Sequence, residues 1–226
     1  MRLFIDSADT EKIRFVLNHY PCDGVTTNPT ILARETDSPG QTLTAIRGLI
    51  GDRLLFVQAV SHDSEEICRE AETARGKLGE PLSVKIPAGT PEAYRAMRML
   101  AEKGFSVTGT AVYTPEQALL CAQAGADFVA PYISHIDNMC VDSYNVVREM
   151  AELLGKSGKK TEILAASFRT VEQVHRAMLA GANAVTITPE MFDLLAKSTG
   201  TNAEMASFDK NWQNKFEKRN LCHIWS

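Results

Sequence analysis

Short runs of β-branched and apolar residues recur along the chain, each followed by a longer amphipathic segment rich in alanine and charge. The runs are LFID (3–6), GVTT (24–27), LLFVQA (54–59), SVKIP (83–87), SVTGTAVY (106–113), DFVAPYI (127–133), ILAASF (163–168) and AVTIT (184–188). They are nearly continuous in apolar character and do not alternate with period two, so they are expected to be strands buried on both faces, as in a parallel sheet covered by helices. Punctuation supports the division. Thr90-Pro91-Glu92, Thr114-Pro115-Glu116, Thr170-Val171-Glu172 and Thr188-Pro189-Glu190 each place a capping threonine before a first-turn residue and an acid that suits the helix dipole. Thr114 to Gln117 and Thr170 to Gln173 also fit a capping box. The helical segments run out at Gly104, Gly125 and Gly181, immediately before the next strand.

Strand, capped helix and glycine stop, repeated without a linker or low-complexity stretch, predict a closed (β/α)8 TIM barrel over residues 1–200. Residues 201–226 are expected to add a C-terminal helix and tail that makes an oligomer contact. An open doubly wound sheet is the alternative architecture. It loses support because no G-x-G-x-x-G or G-x-x-x-x-G-K-[ST] motif follows a strand.

Composition narrows the partners. With 24 basic and 28 acidic residues the chain carries a formal charge of -4, which gives no electrostatic case for nucleic acid or an anionic membrane. No apolar run is long enough to span a bilayer, and the N-terminus reaches Asp6 before any apolar region of signal-peptide length, so a cytoplasmic location is expected. Five dispersed cysteines without a Cys-x-x-Cys pair suggest reduced thiols, and the histidines lack metal-ligand spacing. Neither a metal nor another cofactor is expected.

In such a barrel the chemistry sits at the C-terminal ends of the strands. The polar residues there are Asp6, Thr26, Asn28, Gln58, Lys85, Thr110, Tyr132, Ser167, Arg169 and Thr186. Lys85 is the most informative, because it lies between Val84 and Ile86 on a buried strand, whereas most other lysines lie in charged segments. It reads either as a lysine paired with a carboxylate or snorkelling to the rim, or as a desolvated amine with a lowered pKa, nucleophilic towards a carbonyl. Asp6 taken alone reads as a helix cap, Asn28 as a turn residue, and Gln58, Tyr132 and Ser167 as satisfied core polar groups. Their convergence on one rim is what makes a site.

Read together, Phe4-Ile5-Asp6, GVTTNPTI (24–31), FVQAV (56–60), VKIP (84–87), GTAVY (109–113), VAPYI (129–133), ILAASF (163–168) and LAGANAVTI (179–187) resemble the small transaldolase family, most closely its fructose-6-phosphate aldolase branch. The resemblance covers nearly the whole chain in order. It implies a class I aldolase in which Lys85 forms a Schiff base with the ketone donor. Asp6 and Asn28 would hold donor hydroxyls, Thr26 would line the same wall, and Gln58, Thr110 and Tyr132 would position a water that moves the proton. Transaldolases typically carry glutamate and phenylalanine where this chain has Gln58 and Tyr132, which favours the aldolase branch. A sugar or sugar phosphate is the implied ligand, its phosphate held by Ser167 and Arg169 at the rim.

One position departs from the pattern. In the loop after the sixth strand this chain reads Ser134-His135-Ile136-Asp137, where the family usually has an arginine, so His135 is the candidate phosphate contact in its place. Histidine offers a single donor whose charge depends on pH, in place of a permanent bidentate one. Near the C-terminus, Met205, Phe208, Trp212 and Phe216 fall at helical spacing, and the resemblance implies a homo-oligomer in which helices are exchanged around a pentameric ring, with rings pairing into a decamer. Three activities stay open: an aldolase, a transaldolase passing dihydroxyacetone between sugar phosphates, and a catalytically idle barrel that binds a ligand. Retention of Lys85, Asp6 and Asn28 argues against the last.

Overall fold

A computed structural model describes residues 1–217, 220–223 and 225. Its eight strands are β1 (Arg2–Asp6), β2 (Gly24–Thr26), β3 (Leu54–Gln58), β4 (Leu82–Pro87), β5 (Ser106–Val112), β6 (Phe128–Pro131), β7 (Glu162–Ala165) and β8 (Ala184–Ile187). All neighbours are parallel, and β1 closes on β8, which makes the barrel predicted from the strand and helix alternation. The helices are α1 (Thr10–His19), α2 (Pro29–Glu35), α3 (Pro39–Ile50), α4 (Ser64–Leu78), α5 (Pro91–Glu102), α6 (Pro115–Gln123), α7 (Ile133–Asn138), α8 (Ser143–Ser157), α9 (Val171–Ala180), α10 (Pro189–Ala196) and α11 (Thr199–Phe216). Two β-to-β connections each hold a pair of helices, α2 with α3 and α7 with α8; the short members α2 and α7 sit directly after their strands.

Capping agrees closely with the sequence. Thr90, Thr114 and Thr170 accept from Ala93 N, Gln117 N and Gln173 N. The two glutamines, however, do not close a capping box on the threonine itself: Gln117 Oε1 accepts from Tyr113 N at 2.8 Å and Gln173 Oε1 from Arg169 N at 2.7 Å. Each therefore ties its helix to the residue leaving the strand. Gly104, Gly125 and Gly181 take positive φ after α5, α6 and α9, as a left-handed stop requires.

The floor of the barrel is aromatic. Phe4 meets Phe56 edge-on at 5.1 Å, Phe56 meets Phe128 at 5.2 Å, and Leu164 and Ala184 complete the cluster. The Arg2 guanidinium lies 4.7 Å from the Phe128 ring centroid and pairs with Glu162 at 2.5 Å, so apolar side chains and one ion pair fill this end. Towards the strand C-termini the interior turns polar: Ser83 bonds Thr108 at 2.8 Å and Thr26 bonds Thr186 at 2.6 Å. Filling one end and leaving hydrogen-bonding groups at the other confines the site to the C-terminal mouth.

The chain divides into a unit of Met1–Phe192 and a unit of Asp193–Ser226. In the second, Ser198 caps α11 and no residue of that helix is buried; Met205 and Phe208 are exposed, and Trp212 lies 4.7 Å from Phe216 between ring centroids. Of the tail predicted within 201–226, residues 218, 219, 224 and 226 lie outside the described residues. Among the described residues no helix is long and apolar enough to cross a membrane.

Candidate active site

Lys85 occupies an inward position of β4. Its neighbours Val84 and Ile86 point the other way into the helix layer, so the strand's apolar residues are spent on the outer face and the lysine alone enters the mouth. It is only 5% exposed, and its Nζ donates to the Thr27 carbonyl at 2.9 Å. Burial lowers its pKa from the usual 10.5, opposed by the Asp6 carboxylate, the one charge that acts on it among the described residues. It is thus a desolvated amine.

Asp6 ends β1 and does not cap the next helix. That role belongs to Asp9, which accepts from Glu11 N and Lys12 N. Asp6 is freed for the mouth, where Thr26 donates to its Oδ1 at 2.7 Å. Burial raises its pKa above 3.8, and Lys85 and Thr26 pull it back without cancelling the rise. The acid's pKa is thus raised and the amine's lowered, so the two shift towards each other.

The opposite wall contains an irregularity. Gly109 pairs with Val129, yet the next pair on the same two strands is Val112 with Pro131, so β5 bulges between them and Ala111 adopts φ 51°. Thr110 shares the inward face of Thr108, two residues before it, and its Oγ1 lies 3.3 Å from Tyr132 OH; burial raises the Tyr132 pKa so that the phenol stays protonated. Gln58, in register with Lys85 on β3, has a buried Oε1 with no hydrogen-bond partner among the described residues. A lone buried acceptor of this kind suits a donor brought by water or substrate.

Asn28 combines two roles, since its Oδ1 caps α2 through Ile31 N at 2.9 Å while the residue lines the mouth. Beyond β7, Ser167 is held at φ 62°, a left-handed conformation rare outside glycine. Its Oγ lies 2.9 Å from both Ser134 Oγ and His135 Nδ1. His135 and Arg169 are exposed at the rim, and Gln173 anchors both sides of that rim by bonding Arg169 N and Asp137 Oδ2.

These groups enclose a cavity of about 450 Å³. Asp6, Asn28, Gln58, Lys85, Tyr132, His135, Ser167 and Arg169 all line it. Thr26 and Thr110 do not; both are fully buried behind Asp6 and Tyr132 and reach the cavity through those partners. Among the other lining residues, Thr186 and Arg34 had no role in the sequence reading. Thr186 was visible only as a strand-end polar residue, and Arg34 was missed although it lies at helical spacing from Ile31 within the GVTTNPTI segment's helix. Among the described residues no group of three or more His, Cys, Asp or Glu side chains is arranged to hold a metal ion.

The fold and site define a TIM barrel with a buried lysine and an acid lining the cavity at its C-terminal mouth. The chain belongs to the transaldolase/fructose-6-phosphate aldolase family, whose model matches residues 3–224. It is also 35% identical over 214 residues to a Streptococcus pneumoniae (strain ATCC 700669 / Spain 23F-1) protein named "Probable fructose-6-phosphate aldolase", a match covering 94% of this chain and 96% of that relative. An aldolase or transaldolase activity comes with that membership.

Proposed function

We propose that the chain is a class I aldolase that cleaves or forms fructose 6-phosphate or a related ketose, with dihydroxyacetone as the donor fragment. The observation that carries this reading is the desolvated Lys85 amine, enclosed at the mouth and facing Asp6. Neutral Nζ adds to the ketose carbonyl at C2, and loss of water leaves an iminium. The C3–C4 bond then breaks with its electron pair drawn into the iminium, the C4 hydroxyl gives its proton to a water held by Gln58, Thr110 and Tyr132, and the aldehyde departs. The enamine takes a proton at C3 from the same water, and hydrolysis frees dihydroxyacetone and regenerates Lys85. Asp6 and Asn28 hold donor hydroxyls, with Thr26 bracing Asp6.

The runner-up is transfer of the dihydroxyacetone unit to a second aldehyde, which uses the same enamine. What supports release is the Thr110 and Tyr132 hydroxyl pair together with Gln58, which lines the same cavity as Tyr132 and whose Oε1 has no partner among the described residues, donors and an acceptor that suit a proton-delivering water. Ser167, His135 and Arg169 are assigned to the phosphate of the sugar, with His135 contributing one donor where the family usually has arginine. The apolar stripe Met205, Phe208, Trp212 and Phe216 of α11 is assigned to contact with further copies of the chain, a ring or paired rings.

Incubation with fructose 6-phosphate and no added acceptor tests the choice. Stoichiometric free dihydroxyacetone and glyceraldehyde 3-phosphate are expected; turnover that begins only when an acceptor aldehyde is added would assign the chain to the transferase class.

A further inference from the structure

We infer that Glu35 and Arg34, adjacent on α2, act as positioning residues for Asp6: Glu35 fixes the turn that carries it, and the two opposite charges set the field in which its carboxylate works. This rests on the Schiff-base reading above and adds to it two residues outside the chemistry.

The geometry is a clamp between elements distant in sequence. The residues immediately after Asp6 are Ser7 and Ala8, each 2% exposed. Glu35 Oε2 accepts from Ala8 N at 2.7 Å and from Ser7 Oγ at 3.0 Å. Ser7 Oγ in turn accepts from Asp9 N at 3.0 Å, and Asp9 is the cap of α1. The exit of β1 therefore hangs on one carboxylate supplied by α2, the same helix whose cap, Asn28, lines the mouth. A carboxylate accepting two bonds and an ion pair is costly to replace.

That carboxylate is itself compensated. Arg34 Nη2 lies 2.5 Å from Glu35 Oε1, with the Glu35 side chain 18% exposed and that of Arg34 66% exposed. Burial pushes Glu35 up, and the bonds from Arg34, Ala8 and Ser7 outweigh it, leaving its pKa below 4.5. Arg34 lines the Lys85 cavity and also an adjoining one of about 270 Å³ shared with Asp6, Asp9, Lys12 and Glu190. The titratable and charged groups that line these cavities with Asp6 are therefore Lys85 from β4, Arg34 and Glu35 from α2, Tyr132 and His135 after β6, Arg169 after β7, Asp9 and Lys12 from the start of α1, and Glu190 from α10. Lys12 and Glu190 pair with each other at 2.7 Å, and of the rest Lys85, Arg34 and Glu35 are the charges that act on Asp6. Glu35 disfavours its ionised form and Arg34 favours it. A plain anchor would fix the turn and leave the Asp6 proton affinity alone.

The test compares pH profiles of kcat/KM for ketose cleavage in the wild type, Glu35→Gln, Arg34→Gln and Ser7→Ala, with borohydride trapping of dihydroxyacetone measured alongside. The acid limb is expected to move to lower pH in Glu35→Gln and to higher pH in Arg34→Gln, because a like and an unlike charge are removed respectively. In Ser7→Ala the limb stays in place while kcat falls about tenfold, since positioning is loosened without a change of charge. Limbs that stay put, or move in the same direction, in the two charge variants overturn the inference provided the wild type is trapped by borohydride. Failure to trap the wild type overturns the Schiff-base reading itself. Should Glu35→Gln not fold, Arg34→Gln at its exposed position and Ser7→Ala decide the matter by the same criteria.

Discussion

Lys85 Nζ donates to the main-chain carbonyl of Thr27 at 2.9 Å, so the amine at the mouth is held by a neutral acceptor, with Asp6, the one charge acting on it among the described residues, set apart from that bond. A neutral acceptor orients the amine without favouring its ammonium form as strongly as a contact ion pair would. Lys85→Met is accordingly expected to abolish borohydride-dependent incorporation of dihydroxyacetone and to cost about 10⁴-fold or more in rate, because the covalent route is lost outright. Labelling at the wild-type level in that variant, measured by intact mass, would contradict the assignment.

Burial depresses the Lys85 pKa below 10.5, whereas pairing with Glu190 raises that of the exposed Lys12 above it. In competitive acylation across a pH series, Lys85 is expected to gain reactivity at lower pH than Lys12. The sign carries over to stability. The native state disfavours the Lys85 ammonium, so the cost to folding is full below the folded pKa and fades as pH rises to 10.5, the unfolded value. Equal titration of the two lysines would show that Lys85 is solvated.

Tyr132→Phe removes the hydroxyl that approaches Thr110 while keeping the ring. Release of free dihydroxyacetone should fall by about 10²-fold, the scale of a general acid-base contribution, and transfer to an added aldehyde should fall less. Equal losses in the two assays would place Tyr132 in an earlier step.

His135 sits at the rim with its Nδ1 on Ser167. His135→Arg should tighten a phosphorylated aldehyde by about 1.5 kcal/mol, one added charged hydrogen bond, and leave the unphosphorylated analogue unchanged. Competition by inorganic phosphate gives an independent reading, and no gain with either ligand would mean that the acceptor is recognised elsewhere on the rim.

Gly109 precedes the β5 bulge, and a Cβ there would clash with Cys121 Sγ. Both Gly109 on β5 and Cys121 on α6 are packed in the barrel wall, so Gly109→Ala should destabilise by about 2–3 kcal/mol, the cost of overpacking a well-filled core. Urea denaturation measures this directly; an unchanged midpoint would mean that the β5 and α6 layers separate freely.

The sequence by itself determined where the strands and helices lie, because β-branched runs, threonine caps and glycine stops act within a few residues of one another. It also singled out Lys85, since a lysine inside an apolar run is conspicuous wherever the run ends up, and it named the polar residues that reach the strand ends. Tertiary structure decided which of those face the same space. Nearly continuous apolar runs do not reveal which side of a strand is inward until the barrel closes, and only closure separated Lys85 from its outward neighbours Val84 and Ile86. The pairing of β5 with β6 brought Thr110 to Tyr132, and the path of the chain leaving β1 gave the capping of α1 to Asp9 and released Asp6 to the mouth. Glu35 and Arg34 stayed hidden for the same reason: the Glu35 bond to Ser7 and the field of both charges on Asp6 join α2 to the end of β1, contacts that register and closure create and no local pattern encodes.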